Sequence, residues 1–287
     1  MRPSWHDGRV VDDIRSAAPG EHWKQFEGSW TGLLTYRYLG KRTPVIDAGV
    51  DRETMPLRSD MRNATGGILA APLCIAAPEP YWLDDAVVPA PVLMAYEIVD
   101  AARDVREVEV LREVTHLGRT MGFSRSRIVD ASNHDRLIAL STGAGMSLGA
   151  APDDFVPVDN PPIDIADSPD LPPLHVAFGA TRGDDGWWRL PPLSNEHAAP
   201  HGALHLGAIN IVLEAAAIDA ASTLVGHDRV QVESWIVTML RPGVVGPFRA
   251  EAAALTTTQR VPVECTLYDE GRDDRIIATA MAVYRVE

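Results

Sequence analysis

The chain has 287 residues, 46% of them hydrophobic and 23% charged, an ordinary globular composition that suits one large domain or two of roughly 140 residues each. Its formal net charge of -14 excludes a nucleic-acid partner held through phosphate contacts, because these need clustered Lys and Arg. Two cysteines far apart, Cys74 and Cys265, exclude a disulfide framework and a Cys-based zinc site, and they fit a reducing, cytoplasmic setting.

Residues 1–30 are polar with scattered aromatics such as Trp23, Phe26 and Trp30, and they read as a lead-in. The opening MRPSWHDGRVVDD lacks the apolar run of a secretory signal. No run of about 18 apolar residues escapes a charge or a Pro/Gly break, so no membrane span is expected. Residues 31–39 (TGLLTYRYL) alternate and read as a strand. Residues 65–77 (TGGILAAPLCIAA) form an uncharged apolar run, read as a buried helix opened by Gly66-Gly67 and kinked at Pro72.

Strand-like stretches follow at 92–99, 106–115, 119–130 and 136–148. Residues 151–173 hold seven prolines and six aspartates. Such a segment cannot be a helix or a central strand, and it reads as an extended linker over 151–174. Order resumes at 187–193. Residues 207–224 (GAINIVLEAAAIDAASTL) are apolar nearly all round, so they predict a buried helix. Strands are expected at 230–240, 247–255, 260–268 and 275–286.

Each half thus reads as a lead strand, a buried helix and about four strands. Thr65-Gly66-Gly67 opens the first helix as His205-Leu206-Gly207 opens the second. Asp135-Arg136-Leu137-Ile138-Ala139 likewise has its counterpart in Asp274-Arg275-Ile276-Ile277-Ala278. The separation from Thr65 to His205 matches that from Asp135 to Asp274 to within one position. Two markers near one offset, in one element order, point to a tandem duplication with units at 20–150 and 175–287.

The segment His201-Gly202-Ala203-Leu204-His205-Leu206-Gly207, followed by Glu214, resembles the signature of phenylacetate-pathway-type acyl-CoA thioesterases. That signature runs Asn-x-x-Gly-x-x-His-Gly-Gly, with a carboxylate nine residues after the His. Gly202, His205, Gly207 and Glu214 match it, whereas Ala199 and Leu206 depart. In the first half Gly66-Gly67 supply the glycine pair, but Thr65 replaces the His and Cys74 the carboxylate. Gly118-Arg119, opening the strand at 119–130, resembles a hairpin feature of the family.

The resemblance implies an α+β fold of two hotdog units, each a long buried helix wrapped by antiparallel sheet, joined as a pseudo-dimer with one continuous sheet. It also implies an acyl-CoA or acyl-carrier thioester as partner, no cofactor, and a homo-oligomer of pseudo-dimers. In that family one unit gives the glycine-containing helix N-terminus and the other gives the carboxylate. Gly66/Gly67 with Glu214 would then form the complete site. His205, Leu206 and Gly207 with Cys74 would form an incomplete one.

The residues carry chemistry in their own right. Glu214 lies inside an apolar helix, where an unpaired carboxylate costs several kcal/mol. It reads either as a base or nucleophile toward a thioester carbonyl, or as half of a structural ion pair. Asn210, one turn earlier, can orient it or simply be a satisfied polar residue. Bare N–H groups after Gly66 and Gly67 can hold an oxyanion, or the pair can form a tight entry turn. Asn63 can add a donor or cap the helix. His205 and His201 read as acid–base groups or as loop caps. No His-x-x-x-His or His-Glu-x-x-His spacing supports a metal, and Gly-x-Gly-x-x-Gly, P-loop and Gly-x-Ser-x-Gly patterns are absent. The leading expectation is a thioester hydrolase; the alternatives are a hotdog enoyl-thioester hydratase or dehydratase, and a non-catalytic acyl-thioester binding protein.

Overall fold

The structure is a computed structural model that describes residues 34–40, 52–77, 87–150, 163–199, 202–256 and 259–287. The lead-in at 1–30, the first half of the expected linker and His201 lie outside these residues.

Among the described residues eleven strands make one sheet: β1 (Arg52–Pro56), β2 (Val87–Ile98), β3 (Glu107–Leu117), β4 (Met121–Asp130), β5 (Asn133–Ala150), β6 (Thr181–Arg182), β7 (Trp188–Leu190), β8 (Val230–Met239), β9 (Phe248–Ala254), β10 (Arg260–Asp269) and β11 (Arg275–Val286). Their order across the sheet is β1-β3-β4-β5-β2-β8-β11-β10-β9-β7-β6. Among the described residues four α-helices accompany them: α1 (Leu34–Leu39), α2 (Ala70–Ala76), α3 (Leu174–Ala177) and α4 (Leu206–Val225).

Every neighbouring pair of strands is antiparallel. The sequence expectations for β2 to β5 and β8 to β11 fall on these strands, with ends shifted by a few residues. Residues 31–39 do not form the expected strand, because Leu34–Leu39 is helical. Its alternation is short, and Tyr38 and Leu39 are both buried, which suits one face of a helix turn rather than a pleat. The helix expected over 65–77 begins only at Ala70, because the Gly pair is spent on a turn. The described part of the expected linker, 163–173, has no strand or helix and is tied to the body. Ile163 N donates to Arg37 O, and Asp167 accepts from Ser59 N at 2.7 Å.

From the seam outward the strand order reads alike on the two sides, β2-β5-β4-β3-β1 and β8-β11-β10-β9-β7, with β6 added at one edge. β2 and β8 meet at the centre through five residue pairs, from Leu93–Thr238 to Glu97–Ser234. Backbone hydrogen bonds also recur. In the first half Asn63 N donates to Gly67 O and Gly66 N to Asn63 O; in the second Ala199 N donates to Ala203 O and Gly202 N to Ala199 O. Gly66 and Gly202 both have φ in the left-handed region, at 80° and 74°, which glycine adopts without Cβ strain. At the far end of the strands, Val99 and Asp100 donate to Ile138 O, as Leu240 and Arg241 do to Ile277 O. Asn63 thus corresponds to Ala199 at the helix entrances, whereas Ile138 corresponds to Ile277 in the strands. The first separation is the shorter, so no single offset relates the halves, and the Thr65–His205 match of the sequence markers does not hold.

One face of the sheet carries the helices. Met94, Tyr96, Trp235, Val237, Cys265, Ala280 and Tyr284 point inward and are nearly fully buried. α4 spans 20 residues and ends at Gly226, whose φ of 80° makes the left-handed cap that stops the helix. By length and apolarity α4 matches a membrane span, yet most of it is buried inside the protein, so its apolarity is accounted for by the core.

Asp269 fixes the entrance to α4. It is fully buried, and its carboxylate accepts from the N–H groups of Val244, Val245 and Gly246 at 2.7–3.1 Å. The same loop offers Gly243 O to Leu204 N, just ahead of the helix. Asp269→Ala leaves those amides without their acceptor and should lower stability by about 2–4 kcal/mol. Urea denaturation checks this: the midpoint should fall while the slope stays unchanged.

Candidate functional site

Glu214 lies midway along α4, 2% exposed, and its carboxylate meets the start of α2. Ala70 N donates to Oε1 at 2.6 Å and Ala71 N to Oε2 at 2.7 Å. The side chain from one helix thus satisfies the first free amides of another, at the positive end of that helix. No arginine or lysine completes an ion pair with it among the described residues. Burial pushes the Glu214 pKa up from 4.5 to about 7, against the downward pull of the two amide bonds.

Gly66 and Gly67 are not the helix N-terminus that the sequence suggests. They lie in the turn ahead of it, and the donors toward Glu214 are the amides of Ala70 and Ala71. The turn is built by Asn63. Its Oδ1 accepts from Thr65 N, Thr65 Oγ1 and Gly67 N, and its Nδ2 donates to Val230 O and to Gln231 Oε1. Gly67 is needed for close approach, since a Cβ there would stand 1.7 Å from Gln231 Oε1. Asn63 is therefore a turn organiser facing the β8 start, not a cap on α2, whose N-cap is Leu69.

Asn210 is fully buried and satisfied elsewhere. Its Nδ2 donates to Leu206 O at 2.8 Å, and its Oδ1 accepts from Trp235 Nε1 at 2.9 Å. It locks α4 onto β8 and does not orient Glu214. His205 caps α4, its Nδ1 accepting from Gly207 N at 3.1 Å. Gly207 lies under α1: a Cβ there would stand 2.2 Å from Thr35 Cγ2. Helix α1 therefore covers the N-terminus of α4, whereas the N-terminus of α2 faces Glu214.

The register at the helix entrances also corrects the correspondence between the halves. Leu69 N donates to Met61 O just as His205 N donates to His197 O. Asn63, Gly66, Leu69, Ala70 and Ala71 therefore stand opposite Ala199, Gly202, His205, Leu206 and Gly207. Cys74 corresponds to Asn210, not to Glu214, whose counterpart at position 78 lies outside the described residues. Cys74 is fully buried, and burial together with the nearby Glu214 charge raises its thiol well above the usual range. It is an inert apolar residue in this setting.

Four residues escape a reading of side chains along the sequence. Ala70 and Ala71 act through backbone N–H groups. Gln231 sits on a strand and donates to Ile68 O and Val232 O. Tyr284 is fully buried with a hydroxyl that has no hydrogen-bond partner among the described residues, and burial, with the Glu214 charge, raises its pKa. An aromatic on a β-strand reads as core; only the Glu214 charge acting on its hydroxyl marks it. No group of His, Cys, Asp and Glu suited to a metal occurs among the described residues.

No family model matches the chain, and no curated protein matches it. Solved structures do. The tesB protein of Mycobacterium avium subs paratuberculosis is 12% identical with a TM-score of 0.57, over 89% of this chain and 99% of that one. An acyl-CoA thioesterase II from Mycobacterium marinum is 14% identical with a TM-score of 0.57, over 88% and 98%. A conserved protein of unknown function with the hot dog fold from Alicyclobacillus acidocaldarius is 10% identical with a TM-score of 0.56, over 88% and 97%. At these identities the likeness establishes the fold, which is the hotdog fold.

The raised pKa of Glu214 carries a stability signature. Between 4.5, its unfolded value, and about 7 the folded protein holds a proton that the unfolded chain has released. Stability should therefore be greatest below 4.5, fall as pH rises through about 7 and level off above it, by roughly 3 kcal/mol from this group alone. Unfolding free energies measured from pH 4.5 to 8 should show this decline for the native protein. In Glu214→Gln, which cannot titrate, that component should be missing.

Proposed function

We propose that the chain is two hotdog units in tandem, at 20–150 and 175–287, acting as a cytoplasmic thioester hydrolase with one working site per chain. The observation that carries the reading is the contact between Glu214 and the Ala70 and Ala71 amides. It joins a titratable carboxylate to bare helix N-terminal donors across the two halves. The recurring backbone hydrogen bonds and the mirrored strand order support the tandem arrangement. The likeness to structures described as thioesterases supports an acyl-CoA or acyl-carrier thioester as substrate.

In this reading the thioester carbonyl oxygen takes the place of the Glu214 carboxylate on the two amides, which then hold the developing oxyanion. The released carboxylate, held by burial above the usual carboxylate range, accepts the proton of the attacking water. The C–S bond breaks, and the thiol leaves with a proton returned from Glu214. Asn63 and Gln231 hold the turn ahead of the amides. His205, Gly207 and Asn210 shape α4 rather than touch substrate.

One observation favours a second reading, a non-catalytic acyl-thioester binding protein. Glu214 already occupies both amides, and it is buried. Thiol release from acyl-CoAs separates the two readings. A hydrolase should liberate thiol with water alone, with a rate that rises with pH through about 7. Glu214→Gln should lower that rate by roughly 10²–10⁴, while Cys74→Ser and His205→Ala should cost far less. Absence of thiol release over a panel of acyl-CoAs, with acyl-CoA binding retained, would leave the binding protein. Enoyl absorbance changes without thiol release would point to a hydratase.

A further inference from the structure

A slot runs between α4 and β9, on the side of the helix turned from Glu214. Thr223, on its wall, is nine residues after Glu214, about two and a half helical turns, so the two residues stand on opposite sides of α4. The floor is β9, whose inward positions Ala250, Ala252 and Ala254 are all alanine, and the facing helix positions Ala216 and Ala220 are alanine too. Small side chains on both surfaces leave a cavity of about 340 Å³, within the range of small-molecule pockets. One end is covered, with Ala250 0% and Ala216 4% exposed; the other is open, with Leu224 43% exposed. From Ala250 to Ala254 the strand advances ~13 Å. The space is therefore long and narrow, and it suits an unbranched chain better than a fused ring.

The β6–β7 hairpin makes the third wall and carries the polar groups. Arg182 and Trp188 are cross-strand partners, so their side chains share a face of the hairpin, and both line the slot. Trp188 in turn pairs with Ala250, which sets these two side chains level with the covered end. Arg182 Nε lies 2.9 Å from Asp219 Oδ2 on α4 and donates to Gly186 O at 3.3 Å. The terminal nitrogens of its guanidinium have no hydrogen-bond partner among the described residues, and the side chain is half exposed. Trp188 Nε1 is buried and likewise has no hydrogen-bond partner among the described residues. A buried donor without an acceptor is costly.

We infer that the slot binds a free fatty acid of medium chain length. The carboxylate takes the terminal nitrogens of Arg182, a fork that matches its two oxygens, and accepts from Trp188 Nε1. Asp219 keeps Nε and so holds the guanidinium across the slot. The chain runs from there over the alanines of β9 toward Leu224. Both donors are then used, and apolar surface on the helix and the strand leaves water.

Isothermal titration calorimetry on the full chain with hexanoate, octanoate and decanoate tests this. Binding should be saturable, and each added methylene should tighten it about 4-fold. Decanol carries the chain without the charge and should bind roughly 10-fold more weakly than decanoate; Arg182→Gln should erase that difference. Trp188→Phe keeps a ring but not the N–H and should weaken decanoate about 5-fold. Ala252→Leu and Ala220→Leu fill the slot and should each abolish binding. Both positions are partly exposed, and circular dichroism should show native folding; should one variant fail to fold, the other decides.

The site stands apart from Glu214 and does not rest on the hydrolase reading, so Glu214→Gln should bind decanoate as the native protein does. Absence of saturable decanoate binding at millimolar concentration would overturn the proposal. So would an affinity that does not rise with chain length, or binding that both filled-slot variants retain. Binding lost in Glu214→Gln but kept in those variants would put the fatty acid at the Ala70 and Ala71 amides and overturn it too. Decanol binding as tightly as decanoate would overturn the part given to Arg182.

Discussion

A buried carboxylate without a cation is the constraint around which this protein is arranged. Glu214 is carried into the core by an otherwise apolar helix, and removing it from water costs several kcal/mol unless it finds donors. It finds two, the N–H groups of Ala70 and Ala71. Those amides have no acceptor within their own short helix, so each partner meets the other's need. The pair requires that α2 point its N-terminus at the middle of α4. That in turn requires the turn at 62–68, held by Asn63 and Gln231, and a fixed relation between the sheet halves that carry the two helices.

The fixed relation comes from the seam. β2 and β8 join by a regular ladder, so the helices rest on one sheet rather than on two bodies free to rock. Trp235 works on both sides of this arrangement. It sits in the ladder opposite Tyr96, and its indole N–H reaches Asn210 on α4. Asn210 therefore spends its polar capacity on holding the helix to the seam. A central seam also gives each half a continuous neighbour, leaving, among the described residues, the short β1 and β6 as outer strands, and short edges limit unwanted pairing.

Much of this is legible in the sequence, because strands and the long helix announce themselves by period. The strand-like and helical stretches from residue 92 onward map onto β2 to β5, β8 to β11 and α4. Glu214 stands out because a lone carboxylate amid Ile211, Val212, Leu213 and Ala215 has no ordinary reason to be there. Local register is what the sequence hides. Gly66-Gly67 reads as the helix start because glycines resemble the bare N–H groups that helix entrances offer. The structure needs Gly66 for a left-handed turn and Gly67 to clear Gln231, and the helix begins with two alanines. Backbone amides leave no mark on side-chain patterns, so nothing in the sequence picks out Ala70 and Ala71. The strand expected at 31–39 is a helix instead, because so short an alternation does not distinguish a pleat from two helical turns when one side is buried.

The corrected register changes what the two halves mean to each other. With Cys74 opposite Asn210, the halves no longer differ by a carboxylate traded for a thiol. They differ in what lies over each helix entrance. The start of α4 is capped by His205 and roofed by α1, with Thr35 against Gly207. The start of α2 is met by the side chain of Glu214, which accepts from its first two amides. A carboxylate on a flexible side chain can leave in favour of another oxygen, whereas a helix packed on a glycine cannot. Asymmetry between the entrances thus arises from steric cover on one side and a displaceable acceptor on the other. The raised pKa of Glu214 lowers the cost of displacement near pH 7, since a carboxyl close to half-protonated holds its two donors less strongly than a full anion does.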